Sequence, residues 1–277
     1  MTRSRGTLAG IVGLAVLAVF CAAASAAAAD ERSQPLDPRP FGADFPHLDG
    51  WATAGWGRAN AADAPPAAAK RAGGRGQRPP FPLDVPRRDV IAFAIYTVTI
   101  DPDGPDTLKL SAQLFPLRPD EPREARLEID RDGRWVEVAR ADVLYPGWDA
   151  HFRVTDWDAS RTCAYRVRHG AEAVFAGTIR RDPVDKPEIL VAVMSCNSSS
   201  TPGPREELVK GLRAADPDLL FFAGDQTYRH TQHTVGWIEF GLQFRDVIRD
   251  RPTVTIPDDH DVGHGNLWGA AGRQATR

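Results

Sequence analysis

The spacing of apolar residues changes near Pro187, and this change limits the fold more than any other feature. From residue 89 to about residue 181, apolar residues recur at every second position, which is typical of half-buried strands. After Pro187, continuous apolar runs alternate with segments of helical spacing, which is the pattern of a parallel α/β sheet. The sequence therefore predicts a strand-rich part followed by an α/β part, an α+β multidomain chain.

The strand-rich part is expected to contain about seven short strands. The alternating apolar positions are Ile91, Phe93 and Ile95; Leu108, Leu110, Ala112 and Leu114; Phe152 and Val154; Tyr165 and Val167; and Val174 with Thr178 and Ile179. Residues 130–133 (Asp-Arg-Asp-Gly) lie between two such segments and predict a hairpin. This spacing favours an immunoglobulin-like or fibronectin type III-like β-sandwich over residues 89–182. Cys163 is expected to be buried there as a small apolar residue.

The α/β part, residues 188–277, predicts three strands and two helices. The strands are expected at 188–195, 218–223 and 252–256, and the helices at 206–215 and 235–248. The first strand is continuously apolar, so we expect it to be buried on both faces. Leu208 and Leu212 are expected to share the buried side of the first helix. Strand, helix, strand, helix, strand is the order of a right-handed parallel unit.

The first 88 residues carry targeting and linker patterns. Arg3 and Arg5 precede an uncharged apolar stretch and a run of small residues, which predicts a secretory signal peptide over residues 1–29. Residues 30–88 are rich in Ala, Pro, Gly and Arg and predict a low-complexity linker. The expected location is therefore exported: periplasmic, cell-surface or extracellular. A cleaved signal is favoured over a membrane anchor, and the cleavage site is left open.

Composition excludes several classes of function. The chain has 34 Lys and Arg residues against 37 Asp and Glu residues, a net charge of -3, and therefore no bulk attraction for nucleic acid. Its three cysteines cannot form a disulfide scaffold. A local site must therefore carry the function.

Each predicted strand of the α/β part ends in a polar cluster. The clusters are Ser195-Cys196-Asn197-Ser198, Gly224-Asp225-Gln226-Thr227-Tyr228 and Pro257-Asp258-Asp259-His260-Asp261. Taken alone, each has another explanation: Cys196 as a buried thiol, Asp225 as a helix cap, and the Asp-Asp-His run as a charged loop. Loops after parallel strands meet at one edge of the sheet, so these side chains are expected to face one volume. Carboxylate, imidazole and thiolate groups bind metal ions, and a cation would relieve the repulsion between several acids.

Together the three clusters resemble those of the PhoD-type alkaline phosphatases, which belong to the calcineurin-like metallophosphoesterase superfamily. The resemblance covers residues 189–268 closely and the rest of the chain from residue 89 loosely. It implies a β-sandwich followed by the first half of an αββα-type domain. It also implies hydrolysis of phosphate mono- or diesters by water activated by ferric iron (Fe3+) and calcium (Ca2+), or by another pair of metals.

The resemblance also implies roles for individual residues. The implied metal ligands are Cys196, Asp225, Tyr228 and Asp259, the implied catalytic residues are His260, Asp258 and Asp261, and the implied substrate contacts are Asn197, Asn266, His230 and His233. Asp225 would bridge both metals, while Asp259 stands where the superfamily usually has an asparagine. His260 would stabilise the transition state or protonate the leaving oxygen, oriented by Asp258 and Asp261. His230 and His233 also fit two solvated residues before a helix.

Other functions stay open on the sequence. One is a non-catalytic exported binding protein, with a sandwich that recognises a polymer or a surface beside a vestigial α/β remnant. Another is a thiol enzyme that uses Cys196 as its nucleophile. The family's later ligands, commonly a histidine cluster, have no counterpart after His264, so we expect a fragment, a frameshifted product or a pseudoenzyme with little phosphatase activity. The substrate and the oligomeric state are not determined by the sequence.

Overall fold

The computed structural model describes residues 83–101, 103–144, 147–198, 205–229 and 233–262. The predicted signal peptide, almost all of the predicted linker, His230 and Asn266 lie outside these residues, as does the side chain of His233. Of the helices in the described ranges, none has the length and apolar character needed to cross a membrane.

The described residues form mostly β-strands, with few helices. The strands are β1 (Ile91–Thr99), β2 (Thr107–Leu114), β3 (Glu124–Arg131), β4 (Arg134–Leu144), β5 (Asp149–Thr155), β6 (Cys163–His169), β7 (Ala173–Ile179), β8 (Val191–Met194), β9 (Leu219–Ala223) and β10 (Thr253–Ile256). The helices are a short 3-10 helix (Arg87–Asp89), α1 (Arg205–Ala215), α2 (His233–Ile248) and the single turn α3 (Asp259–Val262). Strands β1 to β7 pair antiparallel and β8 to β10 pair parallel, so the predicted change near Pro187 is confirmed.

The antiparallel sheet has seven strands in the order β1-β2-β5-β4-β3-β6-β7. Strand β4 connects the two parts of this sheet. It pairs with β3 along most of its length and with β5 only through Val143 and Leu144. The two ends of the order, β1 and β7, contact each other, so the sheet curls almost into a barrel. The largest fully buried side chains in this sheet and its loops are Trp148, Tyr96, Tyr165, Phe93 and Phe175.

The predicted hairpin between β3 and β4 is present. Its two central residues, Asp132 and Gly133, have φ angles of 56° and 82°. Two-residue hairpins need positive φ at both positions because their twist then matches that of the strands, and glycine adopts it without steric cost. The Asp130 carboxylate accepts a hydrogen bond of 2.7 Å from the Gly133 N–H, which holds the turn closed.

The prediction for the faces of β7 was partly wrong. Val174 points outward and is 47% exposed, while its neighbour Phe175 is 2% exposed and belongs to the core. Two adjacent apolar residues fit either register of a strand, so the sequence pattern did not decide between them. Cys163 shares the inner face of β6, where it is half-buried, and burial raises the pKa of its thiol.

The parallel sheet has the order β10-β9-β8, with β9 in the centre. The prediction that the first strand is buried on both faces was wrong, because β8 is an edge strand: Val191 and Val193 are 41% and 63% exposed. Leu208 was also misplaced: it is 43% exposed, and the helix turns Val209 and Leu212 towards the core. A continuous apolar run is typical of a strand that is buried on both faces, but whether each face is buried depends on what packs against it.

The two sheets meet through α2. The Phe93 ring on β1 packs edge-on against the Trp237 ring, with 5.5 Å between centroids. Gly241 permits this approach, since a Cβ atom there would lie 2.0 Å from the Phe93 ring. After α2, the Arg249 carbonyl accepts a hydrogen bond of 3.2 Å from the Thr178 N–H of β7. Residues of both sheets therefore belong to one apolar core.

His169 should make the stability of this core depend on pH. Its side chain is 3% exposed and its Nε2 atom lies 2.8 Å from the Pro122 carbonyl, while burial lowers its pKa below the ordinary 6.5. The unfolded chain therefore binds a proton that the fold excludes, so the contribution is complete above the ordinary pKa and is lost as the pH falls below it. Between the unfolded and the folded pKa, each pH unit should cost up to about 1.4 kcal/mol. Thermal unfolding at decreasing pH should show this loss in the wild type and less of it in His169→Gln; equal slopes would contradict the assignment.

Candidate metal centre

The loops that follow β8, β9 and β10 meet at one edge of the parallel sheet. The Asn197 N–H donates to the Asp225 carbonyl at 2.9 Å, which joins the first loop to the second. The Asp225 N–H donates to Asp261 Oδ2 at 2.7 Å, which joins the second loop to the third. The structure thus brings together the three polar clusters that the sequence places at separate strand ends.

Asp225 lies at the centre of the cluster and is 6% exposed. Its Oδ2 atom accepts a hydrogen bond of 2.8 Å from the Tyr228 hydroxyl and a longer one of 3.6 Å from the Cys196 thiol. Its Oδ1 atom is buried and has no hydrogen-bond partner. A buried carboxylate oxygen without a partner is costly and calls for a specific explanation, and a bound cation supplies one. The donor set therefore fits a metal ion.

A second group of ligand atoms also contains Asp225. One ligand atom each from Asp225, Asp259 and His260 can be chosen so that all three lie within 4.8 Å of one another. The imidazole of His260 packs against the Tyr228 ring, with 4.0 Å between centroids. Asp225 is therefore common to a group with Cys196 and Tyr228 and a group with Asp259 and His260, and it would belong to both sets of ligands if each group held a metal ion.

The backbone is strained at two of the expected metal ligands. Cys196 and Asp225 have φ angles of 56° and 58°, in the left-handed region that non-glycine residues rarely adopt. Each such residue costs about 1 to 3 kcal/mol and persists only where its surroundings hold it. Gly224, with φ of 88°, allows the second and third loops to approach, because a Cβ atom there would lie 2.5 Å from the Cβ of Asp258. Other non-glycine residues with positive φ, namely Asp132, Trp148, Asp156 and Asp216, lie outside these loops, so the strain agrees with a functional site but does not by itself identify one.

Burial raises the pKa of two side chains in the cluster. Burial, followed by the hydrogen bonds to Asp225 and Cys196, raises the pKa of the Tyr228 phenol above its ordinary value of 10.0. Burial likewise raises the pKa of Asp261. A metal ion bound by Tyr228 as a phenolate would have to displace the phenol proton, so metal binding should release protons.

The side-chain amide of Asn197, an expected substrate contact, is used within the protein. Its Nδ2 group donates to the Gln226 carbonyl at 3.1 Å and to Gln243 Oε1 at 2.8 Å, and its Oδ1 atom accepts from Arg205 at 2.6 Å. The Asn197 side chain thus connects the loop after β8 to the loop after β9 and to helices α1 and α2. Arg205 was missed by the sequence reasoning, and no local pattern connects it to Asn197.

Gln226 was also missed as a contributor to the site. It is 5% exposed, and its amide donates to the carbonyls of Phe222 and Ile256 at 3.2 and 3.0 Å, so it joins the ends of β9 and β10. Its position in the second polar cluster was the only signal that the sequence offered. Asp258 is exposed and accepts the Asp259 N–H at 2.8 Å.

Comparisons with known proteins leave the family open. No family model and no curated protein matches the sequence. The chain is similar to the structure of purple acid phosphatase PPD1 from yellow lupin (Lupinus luteus) seeds, with a TM-score of 0.45 and 13% identity over 65% of this chain and 38% of that one. It is also similar to a beta-glycosidase from Bacteroides vulgatus, with a TM-score of 0.26 and 6% identity over 56% and 22% of the two chains. Similarities this low carry no argument about function, so function must be inferred from the side chains.

Proposed function

We propose that the cluster around Asp225 is a two-metal centre that hydrolyses phosphate esters. The buried Asp225 carboxylate carries the proposal: one oxygen has no partner, and the other receives a phenol and a thiol. Asp259 and His260 place further ligand atoms within 4.8 Å. The choice of phosphate esters follows from the resemblance of the three loop motifs to those of PhoD-type alkaline phosphatases. The near-neutral chain also agrees with anion binding by metals rather than by Lys and Arg.

The resemblance implies how the ligands divide between two metals. Cys196, Asp225 and Tyr228 would hold ferric iron, and Asp225 with Asp259 would hold the second ion, which the resemblance implies is calcium; carboxylate oxygens are compatible with it. Bound cations of this kind hold phosphate oxygens and lower the pKa of the attacking water. The contribution of this chain is a nearly buried carboxylate fixed between two groups of ligands.

His260 has two roles open to it, which one variant separates. The resemblance assigns it to the phosphate, where it would donate a proton to the leaving oxygen, and its position near Asp225 and Asp259 also suits metal binding. If His260 contacts the phosphate, the His260→Ala variant should retain both metals and its turnover should fall by about 100-fold or more. Loss of one metal equivalent in His260→Ala, measured by elemental analysis, would instead make it a ligand.

The proposed function also includes the domains around the site and the export of the chain. The seven antiparallel strands divide at β4 into β1-β2-β5 and β4-β3-β6-β7, which supports a fibronectin type III-like sandwich over residues 89–182. Residues 188–277 would then belong to a PhoD-like metallophosphatase domain. The charged, apolar and small-residue order of residues 1–29 supports export.

Metal-dependent hydrolysis tests the function directly. The purified chain is loaded with ferric iron and calcium and assayed with p-nitrophenyl phosphate and bis(p-nitrophenyl) phosphate, with and without a chelator. We expect metal uptake and slow hydrolysis that depends wholly on metal, because the described ligands fill only part of two coordination shells. Hydrolysis that survives the chelator would contradict the two-metal mechanism. A chain that takes up neither metal would favour the non-catalytic binding protein.

A further inference from the structure

We propose that Asp261 is a positioning residue that holds Asp225 and Tyr228 where they can bind metal; this inference rests on the proposed function. Both carboxylate oxygens of Asp261 accept hydrogen bonds from backbone N–H groups. Oδ2 accepts from Asp225 at 2.7 Å and from Asp258 at 3.0 Å, and Oδ1 accepts from Thr227 at 3.1 Å.

Two of these bonds hold the loop that follows β9, where the backbone is strained. Asp225 has φ of 58°, a conformation that its surroundings must hold in place. The carboxylate of Asp261 fixes the N–H of Asp225 and the N–H of Thr227, two residues further along. The side chains of Asp225 and Tyr228 project from the same short segment, so fixing its backbone fixes both ligands.

The same carboxylate joins the two loops that supply the second ligand group. Its bond to the Asp258 N–H fixes the segment that carries Asp259 and His260. Asp261 therefore couples the loop after β9 to the loop after β10, next to the close approach of Gly224 and Asp258. The resemblance implies that Asp261 orients His260. In the structure, its carboxylate instead holds the backbone of the loop after β9.

The variant Asp261→Asn keeps the size of the side chain but replaces one acceptor oxygen with an NH2 group that faces N–H donors. Its matched control is Asp218→Asn, since Asp218 also accepts a backbone N–H bond, from Leu190 at 3.0 Å, at the opposite end of β9. Both variants lose structural hydrogen bonds, but only Asp261 holds the ligand-bearing loop.

The test is a ferric-ion titration of the full chain, followed by the phenolate-to-iron absorption band. We expect Asp261→Asn to bind about 10- to 100-fold more weakly with an unchanged band at saturation, because the ligands themselves are intact. Asp218→Asn should bind like the wild type. Equal affinity of wild type and Asp261→Asn would overturn the positioning role, and so would an equal loss in Asp218→Asn.

A second measurement needs no variant and decides the matter if Asp261→Asn does not fold. In the wild-type chain without metal, the amide protons of Asp225, Thr227 and Asp258 should exchange slowly with solvent because Asp261 accepts their hydrogen bonds. Exchange of all three at the rate of an open loop would overturn the proposal. Failure of the wild type to bind any metal would instead overturn the proposed function, so the two failures are distinguishable.

Discussion

Replacing Asp225 with Asn should weaken metal binding by more than about 100-fold, well beyond the effect of losing a residue that only supports a ligand. Asp225 is the residue common to both groups of ligand atoms, and its carboxylate has one buried oxygen without a partner. An amide removes the negative charge and one of the two oxygens, so both metals should be affected. Isothermal titration with iron and with calcium measures the loss.

The same substitution should not destabilise the metal-free chain. A buried carboxylate with an unpartnered oxygen is costly in the fold, and an uncharged amide lowers that cost. The melting temperature without metal should therefore be equal to or higher than that of the wild type. Asp218→Asn is the control, because it should lower the melting temperature while leaving metal affinity intact. A lower melting temperature and unchanged metal affinity in Asp225→Asn would together show that Asp225 serves the fold alone.

Replacing Phe93 with Ala should destabilise the antiparallel and parallel sheets together, by about 3 to 5 kcal/mol. Phe93 is 1% exposed and fills the junction between β1 and α2, against Trp237 and Gly241. Its removal leaves a cavity in the core that both sheets share. Because the core is continuous, the loss should appear in one cooperative transition.

Urea unfolding followed by tryptophan fluorescence and by circular dichroism measures this loss. Trp135→Ala is the matched control: Trp135 is 40% exposed, and the Arg166 guanidinium lies over its ring, 4.4 Å from the centroid. It should cost about 1 kcal/mol or less. Two separate transitions, with the metal-binding part unaffected by Phe93→Ala, would contradict the shared core.

The sequence predicted which segments form strands and the edge at which the polar clusters meet. Alternating residues such as Leu108 and Leu110 identify a strand by local spacing alone, and loops after parallel strands converge whatever their sequence. The positions of Asp225, Tyr228 and His260 near one another therefore followed from where each strand ended.

The sequence could not predict which faces of β7 and β8 are buried, or which hydrogen bonds hold the loops at the candidate site. Val174 and Phe175 are adjacent apolar residues, and only the packing of β7 decides which one is buried. Val193 is exposed because β8 lies at the edge of its sheet, a property of strand order rather than of local sequence. The hydrogen bonds that the N–H groups of Asp225 and Thr227 donate to Asp261 connect residues more than thirty positions apart, where two loops meet.

The position of a bound metal tests the central claim most directly. Crystals of the full chain loaded with ferric iron should show anomalous scattering at the iron absorption edge. The proposal predicts an iron peak at bonding distance from Asp225, Tyr228 and Cys196, with the phenol deprotonated. Iron bound elsewhere on the chain, or no iron at Asp225 under loading conditions, would contradict it.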